Sequence, residues 1–263
     1  MNVVGTITKP LADISVLVTR PVDQSERLSQ RLQELGAEVI AFPALAIIGP
    51  QRPEALNQRL VKIEYYDWVV FISPTAVQFG LAALRQIAPA MLAKINAAAV
   101  GTGTASALRK AGCRNVVVPE AGADSEDLLA LPEFADLTGR RVLILRGEGG
   151  RELIANTLRA RGAQVDYAEC YRRVCPATDP APLIEALAAR RIQAVTVFSS
   201  ETLDNLLQYC DTAAAAALRA LPLFVPHRRI AEHAKALKFS LPIATAPGES
   251  GVVAGLVEYF HHD

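Results

Sequence analysis

The amino-acid sequence contains two copies of one pattern, 126 residues apart. Residues 16–39 align without gaps on residues 142–165, because 142 minus 16 and 165 minus 39 both equal 126. The same offset brings Ser73 over Ser199 in the next pair of matching segments. An internal repeat of this kind limits the chain to folds built from two copies of one unit.

Each copy alternates two kinds of segment. Short runs rich in β-branched residues, namely SVLVT, WVVFI, RVLIL and AVTVF, are typical of buried strands. Between them lie amphipathic stretches such as SERLSQRLQELG, in which Leu28, Leu32 and Leu35 share one helical face. Gly36 and Gly162 follow these stretches where glycine favours a left-handed helix end. Strands that alternate with helices predict an α/β fold with parallel sheets.

Composition excludes several classes of function. The chain has 263 residues, of which 51% are hydrophobic, so it can fill one large core or two ordinary ones. Lys plus Arg and Asp plus Glu number 27 each, which leaves no overall positive charge to hold nucleic acid or an anionic membrane. The first residues lack the basic and apolar regions of a secretory signal, and no apolar run approaches the roughly 20 residues of a membrane span. These features predict a soluble, cytoplasmic protein.

The cysteines and histidines do not predict a metal site. Cys113, Cys170, Cys175 and Cys210 have no CxxC spacing, and His261 and His262 lie in the terminal HHD. We therefore expect inert thiols and no bound metal.

Candidate ligand-binding residues follow from the predicted sheets. Open parallel sheets bind ligands at the carboxyl ends of their strands, where loops lead into helices. Hydroxyl, glycine and arginine side chains are frequent there, and each can either cap a helix or help to hold an anion. The turns in question are Thr19-Arg20-Pro21, Ser73-Pro74-Thr75, Gly101-Thr102-Gly103-Thr104, Arg146-Gly147-Glu148-Gly149-Gly150-Arg151, Ser199-Ser200-Glu201, Pro226-His227-Arg228-Arg229 and Gly248-Glu249-Ser250.

Other motifs argue against the common alternatives. VGTGTAS, with Glu120 further on, resembles a dinucleotide-binding turn, but Ser106 stands where the last glycine belongs. The chain lacks HExxH, GxxxxGK[ST] and GxSxG, the motifs of zinc peptidases, P-loop proteins and α/β-hydrolases. A periplasmic-type binding protein would need an export signal.

Five segments resemble the motifs of the uroporphyrinogen-III synthase family, in that family's order. They are LVTRP (17–21), DWVVFISPTAV (67–77), AVGTGTASAL (99–108), LILRGEGGRELI (143–154) and ECYRRV (169–174). Residues 140–173 form the most specific match. VPHRRI departs from the glycine-threonine turn of many relatives, which leaves the ligand role of His227 and Arg228 open.

The resemblance implies a particular architecture. Two similar parallel-sheet, flavodoxin-like domains would exchange their first strand-helix units and enclose a cleft between them. Residues 1–38 with 175–263 would form one domain, and residues 48–164 the other. Segments 39–47 and 165–174 would pair as a two-stranded interdomain linker.

The resemblance also implies a reaction. The family cyclises hydroxymethylbilane to uroporphyrinogen III, with loss of water and inversion of the terminal D pyrrole ring through a spiro intermediate, and it uses no cofactor. The tyrosine of ECYRRV, Tyr171, matches the position usually proposed as proton donor, although it could instead only stabilise its strand. A sensor of a tetrapyrrole precursor is the non-enzymatic alternative.

Partners and binding residues follow from the same resemblance. We expect a monomer that receives the unstable bilane from hydroxymethylbilane synthase. The bilane carries eight carboxylates, which helix N-termini and arginines can bind. Alternatively, the arginines could form structural ion pairs within the protein. The candidate substrate-binding residues are Arg20, Pro21, Ser73, Thr75, Gly101, Thr102, Thr104, Arg146, Gly147, Gly149, Ser199, Ser200, His227 and Arg228.

Overall fold

The repeated strand-helix pattern folds into parallel sheets. The computed structural model describes residues 9–120, 124–150 and 152–261. The first part of the chain contains β1 (Ser15–Val18), α1 (Val22–Glu34), β2 (Glu38–Ala41), β3 (Ala46–Ile48), α2 (Pro53–Leu60), β4 (Trp68–Phe71), α3 (Pro74–Ile87), β5 (Asn96–Ala99), α4 (Thr102–Ala111), β6 (Asn115–Val117) and α5 (Ser125–Leu129). The second part contains β7 (Arg141–Gly147), α6 (Leu153–Ala160), β8 (Gln164–Val174), α7 (Ala181–Ala188), β9 (Ala194–Thr196), α8 (Ser200–Gln208), α9 (Thr212–Ala220), β10 (Pro222–Val225), α10 (Arg228–Ala236), β11 (Leu241–Ala244) and α11 (Gly248–His261). Short 3₁₀ turns lie at Ile63–Tyr65, Pro89–Met91 and Pro132–Phe134.

The sequence repeat is also a structural repeat. Strands β1, β4, β5 and β6 begin 126 residues before β7, β9, β10 and β11, and helices α3 and α4 begin 126 residues before α8 and α10. Gly36 and Gly162 both have a positive φ, of 100° and 88°, as the predicted helix ends require. Gly162 is further constrained because a Cβ there would lie 2.9 Å from the Thr138 Cα.

The chain divides into two compact units. Unit 1 consists of Met1–Ala46 and Val174–Asp263, and unit 2 of Ile47–Arg173. Among the described residues, the strand order is β11-β10-β9-β1-β2 in unit 1 and β3-β8-β7-β4-β5-β6 in the sheet of unit 2.

The opening strand of each copy joins the sheet of the other copy. β1 pairs in parallel with β9, and β7 pairs in parallel with β4. The predicted α/β class and the exchange of first strand-helix units are therefore confirmed.

Each sheet is covered by helices on both faces. In unit 1, Val16 and Val18 pack with helices α1 and α11, whereas Leu17 packs on the other face with α7 to α10. In unit 2, α2, α3 and α4 cover one face, while α5 and α6 cover the face that contains Val142 and Ile144. Burial on both faces explains why the strands read as nearly continuous apolar runs.

Both predicted linker segments contribute strands to the sheets. β2 pairs with β1 from Glu38 to Ala41, and β8 is hydrogen-bonded to β7 from Gln164 to Tyr171. Strands β3 and β8 are neighbours in the sheet of unit 2, as the predicted pairing of segments 39–47 and 165–174 would require. These segments satisfy their backbone groups within a larger sheet, which a separate pair of strands cannot do as fully. The predicted domain boundaries and interdomain cleft stay predictions.

The helices of the described residues do not meet the requirements of a membrane span. None of them has both the length and the apolar composition needed to cross a bilayer.

Candidate functional site

Each unit has a point where helices leave adjacent strands toward opposite faces. In unit 2, β4 leads into α3 on one face and β7 leads toward α6 on the other. In unit 1, β9 leads into α8 and β1 into α1 on opposite faces. Such switch points leave a crevice at the carboxyl ends of the strands, and ligands of open α/β sheets bind there. The predicted turns at Ser73, Arg146, Arg20 and Ser199 flank these two positions.

Three predicted residues meet at the switch point of unit 2. Ser73 is the N-cap of α3, and its Oγ accepts a hydrogen bond of 3.1 Å from the Ala76 N–H. The Tyr171 hydroxyl lies 3.4 Å from the Ser73 Oγ. Gly147 ends β7 and lies opposite Tyr171 in the register of the two strands. The candidate proton donor is thus adjacent to one predicted substrate-binding hydroxyl.

A β-bulge directs the side chain of Tyr171. Arg146 pairs with Glu169, but the next residue, Gly147, pairs with Tyr171, so β8 carries one extra residue, Cys170. Cys170 and Tyr171 consequently pack in the same core, which a regular strand would not allow for consecutive residues. The Tyr171 side chain is buried, and the residue is only 2% exposed. Its ring lies 6.0 Å from that of Phe79, centroid to centroid.

The lack of a side chain at Gly147 makes room for this ring. A Cβ at Gly147 would lie 2.6 Å from Cε2 and 2.7 Å from Cζ of Tyr171. Carbon atoms in ordinary contact are about 3.5 to 4.0 Å apart, so no larger residue fits beside Tyr171 in this position. Gly147 is therefore required by packing at the site.

Arg146 is held inside unit 2 by a cluster on the opposite face of the sheet from Tyr171. Its guanidinium donates to Glu152 at 2.9 Å and to Glu169 at 3.3 Å, and lies 3.8 Å from the centroid of the Tyr167 ring. A further hydrogen bond of 3.2 Å to the Gly150 carbonyl fixes the turn after β7. Hydrogen bonds from Tyr167 and Arg146 lower the pKa of Glu152, whereas burial and the bond to Glu152 raise the pKa of Tyr167.

Arg20 has a closely similar setting in unit 1. It forms an ion pair with Glu249, donates to Gln24 at 3.2 Å and lies 4.5 Å from the centroid of the Phe198 ring. Arg20 and Arg146 are 126 residues apart, so the repeat preserves an arginine that contacts glutamate and an aromatic ring. Both arginines form the structural ion pairs that were the alternative to a ligand role. The bond to Glu249 also brings Arg20 to the predicted Gly248–Ser250 turn.

The other predicted residues lie at helix N-termini. Pro21, Gly101 and His227 are the N-caps of α1, α4 and α10, and Ser199 caps α8 by accepting a 3.1 Å bond from the Thr202 N–H. Gly149 lies in a loop with a φ of 72°. The remaining candidates lie in the first turns of helices: Thr75, Thr102, Thr104, Ser200 and Arg228.

Some details differ from the predicted turns. Arg146 and Gly147 are the last residues of β7 and not part of the following loop. Arg228 is exposed and bonds Glu232, at 3.0 Å, four residues along its own helix. Arg151 and His262 lie outside the described residues. Glu152, Glu169 and Phe198, which contact the two arginines, were not identified from sequence, because strand spacing does not indicate which turn residues meet.

The cysteines and acidic residues of the described ranges do not gather into a metal site. Within these ranges, His, Cys, Asp and Glu side chains form no group of three or more that could hold a metal ion. Burial raises the pKa of the Cys170 thiol to about 12 and that of Cys113 to about 11, which keeps both protonated at neutral pH.

Comparison with known proteins identifies the family. The family profile described as "Uroporphyrinogen-III synthase HemD" matches residues 26–254. The uroporphyrinogen-III synthase of Escherichia coli (strain K12) is 37% identical over 193 residues, which cover 73% of this chain and 78% of the relative. That of Proteus mirabilis is 37% identical over 161 residues, or 61% of this chain and 81% of the relative.

Solved structures agree in fold. The crystal structure of uroporphyrinogen-III synthetase from Helicobacter pylori 26695 superimposes with a TM-score of 0.64 at 14% identity, covering 94% of this chain and 99% of that one. A mutant uroporphyrinogen III synthase from the extremely thermophilic bacterium Thermus thermophilus gives a TM-score of 0.59 at 20% identity, covering 95% and 100%. On the profile match and the curated relatives, this chain belongs to the uroporphyrinogen-III synthase family.

Proposed function

We propose that this protein cyclises hydroxymethylbilane to uroporphyrinogen III. The observation that carries this conclusion is the family match, which extends over residues 26–254 and is accompanied by curated synthases at 37% identity. The protein is accordingly a cyclising lyase of haem biosynthesis.

The chemistry sets an unusual task for the protein. Hydroxymethylbilane readily loses its hydroxyl group and closes by itself to the uninverted type I isomer. The enzyme must instead favour attack at the substituted carbon of the last pyrrole ring, which we propose gives a spiro intermediate. Holding the bilane in one geometry and excluding water can achieve this selection without a covalent catalyst.

The helix N-termini at the carboxyl ends of the strands are proposed to hold the carboxylates of the substrate. Ser73, Gly101, Ser199 and His227 are N-caps there, so free backbone N–H groups of the first helical turns are near each of them. A helix N-terminus carries roughly half a positive charge and favours anions. Recognition of this kind agrees with a chain that has no net charge.

The arginines are proposed to contribute to the same recognition. Arg20 is half-buried, and its guanidinium already contacts Glu249. Arg146 is buried with Glu152 and Glu169, so its effect on a bound carboxylate would act mainly through the turn that it holds. Arg20 is therefore the better candidate for direct contact with substrate.

Tyr171 is proposed as the source of the proton that converts the departing hydroxyl to water. Its position at the switch point of unit 2, beside Ser73 and Gly147, supports this role. A tyrosine hydroxyl is a hydrogen-bond donor that needs no cofactor. We expect Tyr171→Phe to lower the rate of type III formation more than substitution of any candidate serine or threonine other than its neighbour Ser73.

The test is to supply hydroxymethylbilane to the purified protein and to separate the oxidised type I and type III products. Wild-type protein is expected to give type III in excess, whereas heat-inactivated protein gives the spontaneous type I product. Type I alone from folded wild-type protein would overturn the proposed function. Type III at the wild-type rate from a stable Tyr171→Phe variant would remove only the proposed role of Tyr171.

The cellular setting is also a proposal. We propose that the protein works in the cytoplasm as a monomer, without a cofactor, and receives the bilane from hydroxymethylbilane synthase. Light scattering during gel filtration tests the oligomeric state, and turnover in the presence of EDTA tests metal independence. A dimer mass, or activity lost with EDTA and restored by a metal, would contradict these statements.

A further inference from the structure

We propose that the Ser73 hydroxyl relays the proton of Tyr171 to the leaving hydroxyl of the substrate. The inference rests on the proposed function and adds a second catalytic residue to it. The observation behind it is that Tyr171 is buried, whereas its hydroxyl's neighbour Ser73 is only half-buried and caps α3 at the carboxyl end of β4. A buried acid needs an intermediate group to deliver its proton to a ligand outside.

The hydrogen-bonding capacity of Ser73 fits a relay. A serine hydroxyl has one donor and two acceptor positions. One acceptor position receives the N–H of Ala76, at 3.1 Å. The other can receive the proton of Tyr171, which leaves the hydrogen of Ser73 itself free to bond the substrate. The N-cap bond thus fixes the hydroxyl while leaving the two positions that a relay requires.

The distance between the two hydroxyls is compatible with this role. The Oγ of Ser73 and the Oη of Tyr171 are 3.4 Å apart, longer than the usual range of about 2.5 to 3.0 Å for a bond between two hydroxyls. Catalytic hydrogen bonds are often long in the free enzyme and shorten when substrate is bound. The backbone of Gly147 on one side and the ring of Phe79 on another limit the directions in which the Tyr171 ring can move.

The proton transfer balances without a further reactant. Ser73 donates its proton to the hydroxyl of the bilane as the carbon–oxygen bond breaks, and water departs with the electron pair of that bond. Ser73 takes a proton from Tyr171, which becomes a phenolate facing a positively charged bilane. After the new carbon–carbon bond has formed, the ring system loses a proton, which returns through Ser73 to Tyr171. The Arg173 guanidinium, 5.8 Å from the centroid of the Tyr171 ring, favours the transient negative charge.

The second copy of the repeat provides a comparison within the molecule. Ser199 is the equivalent residue, and it caps α8 through a bond of 3.1 Å from the Thr202 N–H. Its Oγ lies 2.8 Å from the Thr202 Oγ1, and in the described part of unit 1 no tyrosine hydroxyl bonds it. The capping function of the serine is therefore common to both copies, whereas the contact with a tyrosine belongs to Ser73.

The experiment is a double-mutant cycle with Ser73→Ala, Tyr171→Phe and the double variant, measured as the rate of type III formation from hydroxymethylbilane. If both residues act in one relay, each single variant and the double variant should lose activity by the same factor. General acids contribute about 10² to 10⁴ in rate, and this hydroxyl leaves readily, so we expect about 100-fold or less. Ser73→Thr keeps the hydroxyl and should restore most of the activity.

A control separates the relay from loss of a helix cap. Asp211 caps α9 by accepting a bond of 2.8 Å from the Ala214 N–H, and it lies outside the proposed site. Asp211→Ala should lower the melting temperature about as much as Ser73→Ala does and keep the wild-type rate. The solvent deuterium isotope effect gives a second readout, because it should decrease in Ser73→Ala and stay unchanged in Asp211→Ala.

The results that overturn the relay differ from those that overturn the function. Near wild-type activity of Ser73→Ala beside an impaired Tyr171→Phe would show that Tyr171 acts without Ser73. A double variant that loses the product of the two single factors would show independent roles. Unimpaired Tyr171→Phe would remove the proton source, while type III production by the wild type would still support the synthase activity.

Discussion

Replacing Gly147 by alanine tests whether the packing around Tyr171 positions it for catalysis. The added Cβ would lie 2.6 Å from Cε2, 2.7 Å from Cζ and 3.1 Å from Oη of Tyr171. The ring is confined by the core of α3 and its neighbours, so it must shift away from β7 and thereby change its distance to Ser73. We expect Gly147→Ala to lower type III formation at least as much as Tyr171→Phe does.

The expected loss of stability follows from the same distances. To reach an ordinary contact of about 3.5 Å, the ring would have to move by roughly 1 Å. Overpacking of this kind in a close-packed core costs about 1 to 3 kcal/mol. For a chain of this size that corresponds to a decrease in Tm of roughly 3 to 9 °C. The protein should therefore remain folded at 25 °C while its Tyr171 is misplaced.

Gly139→Ala is a matched control. Gly139 has a φ of 74°, and among the described atoms nothing lies within 4 Å of a Cβ built on it. Alanine there costs about 1 to 2 kcal/mol because of its left-handed backbone, but displaces no side chain of the site. Product isomers are measured from hydroxymethylbilane at equal enzyme concentration, and unfolding is followed by circular dichroism. Gly139→Ala should lose stability and keep its isomer ratio.

Two outcomes would refute the reasoning. Gly147→Ala with wild-type stability would mean that the ring can move without cost, so the close packing is not a constraint. Gly147→Ala that is destabilised but fully active would mean that the position of Tyr171 does not matter for the reaction. Conversely, adding Tyr171→Leu to Gly147→Ala should recover part of the lost stability, since the smaller side chain leaves room for the methyl group.

Three further predictions concern charge and thiols. Hydrogen bonds from Tyr167 and Arg146 lower the pKa of Glu152 from its ordinary 4.5, so they stabilise the fold above about pH 4.5, and this stabilisation is lost as the pH falls through the lower pKa of the folded state. Arg146→Met should therefore flatten the acid part of a plot of Tm against pH, and an unchanged plot would contradict the assignment. Of the four cysteines, Cys175 alone is exposed, and burial raises the pKa of Cys210 to about 11. Brief treatment with iodoacetamide at about pH 8 should therefore label Cys175 first, as detected by mass spectrometry. Binding of the polyanionic product should weaken as NaCl increases, as measured by calorimetry, and salt-independent affinity would argue against recognition by helix N-termini and arginines.

Much of the fold was predictable from the repeat. The offset of 126 residues and the strand-helix alternation are local patterns, so they identify the elements and their duplication before any contact is known. The helix caps at Ser73 and Ser199 and the left-handed Gly36 and Gly162 were likewise predictable, because such positions depend on a few consecutive residues. The pairing of β2 with β1 and of β8 with β7 was not, because the partners of a strand are distant in sequence.

The candidate site shows the same division between local and distant determinants. The sequence placed Ser73 and Gly147 in turns after predicted strands, and the resemblance placed Tyr171 in a linker strand and selected it among the tyrosines. Period-two alternation would place Tyr171 on the same face as Tyr167 and Glu169, next to Arg146. The bulge at Cys170 turns it to the other face, toward Ser73 and away from Arg146.

The sequence by itself determined the repeated α/β units, the family and the edge of each sheet where the candidate ligand-binding residues lie. Tertiary structure alone decided which strands became neighbours, and hence that β7 and β4 bring Gly147 and Ser73 to one crevice. It also decided that Arg20 and Arg146 bond glutamates of their own units. The physical reason is that strand pairing and bulges are set by packing and backbone hydrogen bonds between distant segments, whose combined energy no local pattern contains.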